Sequence, residues 1–100
     1  MGKKGEGVDR RMTALRHPLR QRILRALSGL TDGPRSPKQL SDLLDRPLSN
    51  VSYHVRVLAK CEALELVRTR PVRGSVEHFY SPSEAFMADP GVAAILGLSA

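Results

Sequence analysis

Residues 49–60, SNVSYHVRVLAK, hold the densest set of recognition chemistry in this 100-residue chain. Ser49, Asn50, Ser52 and Tyr53 carry short or planar hydrogen-bonding groups. Such groups can meet base edges or phosphate oxygens. Arg56 follows one helical turn beyond Ser52 and Tyr53, and Lys60 comes one turn later. On a helix, Tyr53, Arg56 and Lys60 share one face. Val51, Val55 and Leu58, at i, i+4 and i+7, share the opposite one. One face therefore suits a core and the other suits a polyanion. A second basic group, Arg68, Arg70 and Arg73, clusters around Pro71 and Gly74, where a hairpin tip would carry it to phosphates or a minor groove.

Other chemistry finds less support. His17, His54 and His78 are scattered, and three scattered histidines do not form a metal site. His54 sits at the edge of the apolar face and is expected to pack there, hydrogen-bonded to a neighbour. His17 precedes Pro18 and is expected to shape a helix start, and His78 falls on a strand with no second ligand near it. Cys61 is the single cysteine. An intrachain disulfide and a multi-thiolate zinc site are thereby excluded, and Cys61 is expected to act as a small hydrophobe. No G-x-S-x-G turn and no phosphate-binding glycine loop occurs, so the chain is not expected to be an enzyme, and no cofactor or metal is expected.

The elements that must hold these groups follow from the pattern. Residues 1–8 are rich in Gly and Lys and are expected to form a flexible basic arm. A short helical segment runs from Asp9 to His17. Pro18 opens a second helix, with Leu19, Ile23, Leu27 and Leu30 in one stripe and Arg16, Arg20, Arg22 and Arg25 around it on a mostly solvated face. Thr31–Arg35 is turn chemistry. Ser36-Pro37-Lys38-Gln39 is a capping box with Pro at the first helical position. Leu40, Leu43 and Leu44 then give the buried side of a third helix, stopped by Asp45-Arg46-Pro47. Ser49 caps a fourth helix through about Lys60. Leu64–Arg70 and Val76–Ser81 read as a β-hairpin around the turn Pro71-Val72-Arg73-Gly74, with Leu66, Val67, Phe79 and Tyr80 as core or sheet pairs. Ser83 caps a tail holding Phe86 and Met87, and Val92, Ile95 and Leu96 follow Asp89-Pro90.

Composition bounds the rest. The chain carries 16 Lys and Arg against 10 Asp and Glu, a formal net charge of +6. Most of the excess lies in residues 1–30. A basic surface draws polyanions, nucleic acid first among them. The charged start MGKKGEG is followed by no apolar run of signal-peptide type, and no stretch is long enough to span a bilayer. A cytoplasmic location is expected.

HPLRQRIL, SPKQLSDLLDRPLSNVSYHVRVL and LELVRTRPVRGSVEHFYS together resemble the winged helix-turn-helix repressors of the ArsR type, over about residues 12–82. The segment Val51-Ser52-Tyr53-His54-Val55 with Leu58 matches that family's recognition-helix pattern most specifically. The resemblance implies a prokaryotic homodimer that binds an inverted repeat and represses a promoter, with first and last helices at the dimer interface. Two departures stand out. Cys61-Glu62-Ala63 fills the place of the glycine usual after the recognition helix, so that corner is expected to be built differently. The third helix lacks the cysteine pair of the metal sensors, and the tail offers only Glu84 and Asp89, so no metal sensing is expected.

These observations point to an α+β winged helix-turn-helix, mostly helical with a two-stranded wing. The expected organisation is an arm at 1–8, a DNA-binding domain at 9–82 and a helical dimerisation segment at 83–100. The partner is double-stranded DNA, with Ser49, Asn50, Ser52, Tyr53, Arg56 and Lys60 on the recognition helix and Arg68, Arg70 and Arg73 on the wing. Met12, Leu15, Phe86, Met87, Val92, Ile95 and Leu96 exceed the needs of a small core and are assigned to a two-fold interface. The rival expectation is a winged-helix module that binds a protein, since a fold does not fix a function. The polar, basic outer face of residues 49–60 favours DNA.

Overall fold

The computed structural model describes residues 10–29 and 33–98. The arm expected at 1–8, Leu30 of the second-helix stripe, and Thr31 and Asp32 of the expected turn lie outside the described residues. Residues 10–16 form helix α1, and His17 separates it from α2 (Pro18–Gly29). The His17 ring shapes the start of α2 as expected: its Nδ1 accepts the Leu19 N–H at 3.1 Å, satisfying one of the donors left free at a helix start. Leu19, Ile23, Leu24 and Leu27 are buried, as the period requires.

Helix α3 (Pro37–Leu44) begins with the expected capping box. The Ser36 hydroxyl accepts the Gln39 N–H at 3.2 Å, and Gln39 Oε1 accepts the Ser36 N–H at 3.0 Å. Leu40 is buried. Leu43, expected beside it, is 55% exposed, and Leu44 is half-buried. A helix advances roughly 100° per residue, so Leu43 and Leu44 flank Leu40 on opposite sides. The core meets the Leu44 side. Asp45 ends α3 in the left-handed conformation, φ 54°.

Helix α4 (Leu48–Lys60) starts earlier than expected. Its cap is Pro47, with no side-chain cap bond, and the Val51 N–H reaches the Pro47 carbonyl at 3.1 Å. Pro47 itself keeps an extended ψ of 138° at the cap position and leads directly into the helix. Ser49 therefore lies exposed in the first turn instead of capping it. Val51, Val55 and Leu58 are buried, and Val57 packs half-buried against the same cluster.

The corner after α4 is where the missing glycine bears on the backbone. The Ala63 N–H bonds the Leu58 carbonyl at 2.9 Å and the Glu62 N–H bonds that of Ala59 at 3.0 Å, closing the helix through a left-handed residue. Glu62 itself takes that conformation, φ 61°, and its carboxylate meets Arg10 of α1. The different corner expected is thus the ordinary left-handed one, carried by a residue with a Cβ.

Strands β1 (Leu64–Val72) and β2 (Ser75–Pro82) pair antiparallel, with an irregularity between Leu66 and Arg68. The turn is tighter than expected. Pro71 and Val72 belong to β1, and only Arg73 and Gly74 turn, both at positive φ, 37° and 77°. Two positive-φ residues match the twist of a hairpin. Arg35, placed in a turn by its sequence, instead bridges β2: its N–H bonds the Tyr80 carbonyl at 3.0 Å, and the Tyr80 N–H returns a bond at 2.9 Å. Phe79 is buried and Leu66 pairs with Tyr80 across the strands, as expected, while Val67 falls at the irregularity; Leu66 and Val67 are each 52% exposed.

Ser83 caps α5 (Glu84–Met87) and Asp89 caps α6 (Pro90–Leu96), so Asp89-Pro90 restarts the helix. Phe86, Val92 and Leu96 join Ala14, Leu15 and the helices of residues 18–60 in one core. Two arginines of α2 have tertiary work there. Arg25 donates to the Leu96 carbonyl at 2.8 Å and Arg22 to the Leu44 carbonyl at 3.4 Å. They meet two helix C-termini, where cations are favoured.

Glu62→Gly should stabilise the chain by about 0.5–1 kcal/mol, since relief of the left-handed strain outweighs loss of an exposed ion pair. Urea unfolding followed by circular dichroism should show a higher midpoint at constant slope.

Candidate nucleic-acid interface

The outward side of α4 is set by its inward side. With Val51, Val55 and Leu58 in the core, Ser49, Asn50, Tyr53, Arg56 and Lys60 are all exposed and Ser52 is half-buried. All six residues named from the sequence thus share one accessible surface. Among the described residues, Arg56 and Lys60 make no hydrogen bond or ion pair within the chain. Their charge is open to an outside partner.

His54 lies on the buried flank of the same helix and ties it to α2. Its ring stacks on His17 at 4.2 Å between centroids, tilted by 36°, and Tyr53 meets it edge-on at 5.0 Å. A terminal guanidinium nitrogen of buried Arg20 stands 3.5 Å from His54 Nδ1. The neutral ring presents an acceptor lone pair there. Arg20 Nε finds no acceptor among the described residues. Burial first, then the nearby His17 and Arg20, hold the His54 pKa below its ordinary value. A proton on this ring would face a guanidinium and a second imidazole with no carboxylate among these contacts. His54 is therefore a packing residue, as expected, and its neutrality supports the seat of α4.

The wing is placed by a second network. Ser36, while capping α3, donates its hydroxyl to Glu77 of β2 at 2.6 Å. Arg70 of β1 donates to the other Glu77 oxygen at 2.6 Å. These two bonds hold the Glu77 carboxyl below its usual range. The guanidinium groups of Arg68 and Arg70 lie 3.9 and 5.5 Å from the Phe79 ring centroid, a cation–π arrangement. The three wing arginines accordingly do not cluster at the tip. Arg68 and Arg70 cover Phe79 further down the hairpin, and Arg73 alone occupies the turn. Arg73 has no partner among the described residues, and Arg70 keeps a side chain that is 57% exposed.

Between α4 and the wing runs an open groove of about 670 Å³. Ser52 and Arg56 line it, as the sequence reading would have it. So do Lys38, Leu48 and His78, which that reading did not select. Lys38 was legible only as part of a capping box, His78 only as a strand residue, and Leu48 only as the residue before a supposed cap.

The residues assigned to a two-fold interface divide in two. Leu15, Phe86, Val92 and Leu96 are buried in this chain's own core, and Met87 is half-buried. Met12 and Ile95 are 56% and 53% exposed and border a shallow depression with Arg11 and Gly91. Cys61 is buried, and burial pushes its thiol up against the pull of Arg20 and Arg10. It is a small hydrophobe with an unactivated thiol.

The model of a helix-turn-helix domain family matches residues 15–67, just over half of the chain and the stretch that runs from the end of α1 into β1. The chain belongs to that helix-turn-helix family. Its structure is similar to the crystal structure of NolR from Sinorhizobium fredii, with a TM-score of 0.55 at 23% identity. The likeness covers 96% of this chain and 83% of that one. It establishes the fold as a winged helix-turn-helix, helices followed by a two-stranded antiparallel hairpin. No curated protein matches the chain. Among the described residues, no helix is long and apolar enough to cross a membrane, and no group of three or more His, Cys, Asp and Glu is placed to hold a metal.

The His54 contact gives a signed pH dependence. A histidine whose folded pKa lies below its unfolded value of 6.5 contributes stability that is complete above pH 6.5 and falls as pH drops toward the folded pKa. Melting temperature should decline as pH falls below about 6.5, and His54→Gln should flatten this decline. Glu77 and Asp89, also lowered, act only below their ordinary carboxylate range, so the two windows separate. An equal decline in both proteins would remove His54 from the account.

Proposed function

We propose that this chain is a transcriptional regulator that binds double-stranded DNA in a sequence-specific way, as a homodimer on an imperfect inverted repeat, and represses the promoter it covers. The observation that carries the proposal is the outer face of α4. Asn50, Tyr53, Arg56 and Lys60 are exposed along it, its cations lack partners among the described residues, and a basic wing stands beside it. A helix with these properties, second in a helix-turn-helix, suits insertion into a major groove. The resemblance to ArsR-type repressors and the structural likeness to NolR support the regulatory role.

In this reading Asn50 and Tyr53 meet base edges, with Ser49, Ser52 and Arg56 beside them and Lys60 on a phosphate. Arg73 enters the flanking minor groove or tracks its phosphates, and the outer edges of Arg68 and Arg70 follow the backbone. The exposed Met12 and Ile95 form the apolar contact between two copies, on the face made by α1 and α6, with half-buried Met87 added from α5. A two-fold axis there imposes its symmetry on the DNA site, with half-site centres about 34–36 Å apart, roughly 10 base pairs.

A binding selection on random duplex DNA tests the proposal. The chain should select an inverted repeat. Asn50→Ala should relax preference at one symmetric pair of positions, with a loss of about 1–3 kcal/mol of discrimination and non-specific affinity intact. An unstructured pool after selection would overturn it.

Arg73→Ala should weaken binding to every duplex alike and reduce the slope of log affinity against log salt by about one unit, the signature of one lost phosphate contact. Titrations at several salt concentrations read this directly, and an unchanged slope places Arg73 off the DNA.

A further inference from the structure

Leu48 is the first residue of α4 and is 44% exposed. Nothing within the chain explains a leucine there. It belongs to neither the core cluster nor the partly buried hydrophobics packed on it. Nor is it a hydrophobic staple, which joins the residue before the cap to the fourth helical position. Those places hold Arg46 and Val51.

Its surroundings narrow what it serves. Leu48 lines the groove between α4 and the wing together with Ser52, Arg56, Lys38, His78 and Val76. Val76 is 50% exposed and faces the groove from β2. The groove thus pairs apolar walls with cations and hydroxyls, and the Glu77 carboxylate in its wall is already held by Ser36 and Arg70. Its complement is a polyanion that also carries small apolar groups. In the major groove of DNA the one such group on a base is the 5-methyl of thymine. Leu48 is also the neighbour of Ser49 and Asn50 at the leading end of the helix, the end that reaches base edges when such a helix docks.

We infer that Leu48 reads the 5-methyl group of a thymine within the DNA site, a specificity contact made by apolar burial instead of hydrogen bonding. The inference rests on the regulator reading above and adds a base identity to it. Lys60 and the wing cations hold phosphates while Leu48 covers the methyl, so register and base identity are carried by different side chains of one surface.

The test uses the full chain and duplexes it selects from a random pool. Each thymine of the selected motif is replaced in turn by deoxyuridine, which keeps every hydrogen-bonding group and lacks only the methyl. At one thymine per half-site, the replacement should weaken binding about fourfold, the effect of uncovering one methyl group. Leu48→Ala should bind the thymine duplex about fourfold more weakly and should no longer distinguish thymine from deoxyuridine. Leu48→Met, with its apolar tip retained, should keep the preference. No sensitive thymine with the wild-type chain overturns the inference while leaving DNA binding in place. So does a Leu48→Ala chain that keeps the full preference, an outcome that would turn this apolar wall toward a protein partner. Failure to select any duplex overturns the regulator reading first, and this inference with it.

Discussion

Everything that faces outward on α4 does so because Val51, Val55 and Leu58 face inward. Burying side chains of this size stabilises by about 1.5–3 kcal/mol each, more than any single polar contact at the surface. The rotation of the helix about its axis is therefore fixed by its apolar edge against α2. His54, Arg20 and His17 refine that seat. Asn50, Tyr53, Arg56 and Lys60 inherit their orientation from it. The recognition surface is the remainder left when the core is complete.

The wing is held by polar chemistry instead. A two-stranded hairpin alone is marginal in water, and little of this one is covered. Its base is anchored by the Arg35–Tyr80 bridge and by Ser83, whose N–H bonds the Ala63 carbonyl at 2.9 Å. Above that, Ser36 joins the cap of α3 to Glu77, and Glu77 joins β2 to Arg70. The network couples the start of the helix-turn-helix to the hairpin, so the groove between them has a defined width. It also absorbs charge. Of the 16 basic residues, Arg20, Arg22, Arg25 and Arg70 are engaged with internal groups, as are Arg10 and Arg11 with Glu62 and Asp89. Among the described residues, Arg56 and Lys60 on α4 and Arg73 at the turn of the wing are cations left without such partners, so net charge alone does not say which of the basic residues face outward unpaired.

Much was legible in the sequence because it rests on local rules. Ser36 to Gln39 announces its capping box by spacing alone. Pro18 opens a helix because its missing N–H group is unneeded there. The i, i+4, i+7 spacing of Val51, Val55 and Leu58 names both faces of α4, and with them the six candidate DNA contacts. These features depend on residues within one turn of each other, so no knowledge of the rest of the chain is required.

Tertiary structure decided what depends on residues far apart. Periodicity could not say that α3 turns its Leu44 side to the core and leaves Leu43 outside, because an eight-residue helix offers two adjacent apolar edges. It could not place Arg22 and Arg25 on the carbonyl ends of α3 and α6, since charged residues in an amphipathic pattern look solvated. The fate of Phe86, Val92 and Leu96 turned on whether the core of residues 14–64 had room for them, and it did. The positive φ of Glu62 was hidden because a side chain gives no sign that a turn will force it where glycine is favoured. Leu48 shows the same limit from the other direction: its exposure follows only from Pro47 starting the helix ahead of Ser49 and from the wing lying across the groove. Local sequence determines which elements form and which faces are apolar; long-range packing alone determines which apolar residues remain for a partner.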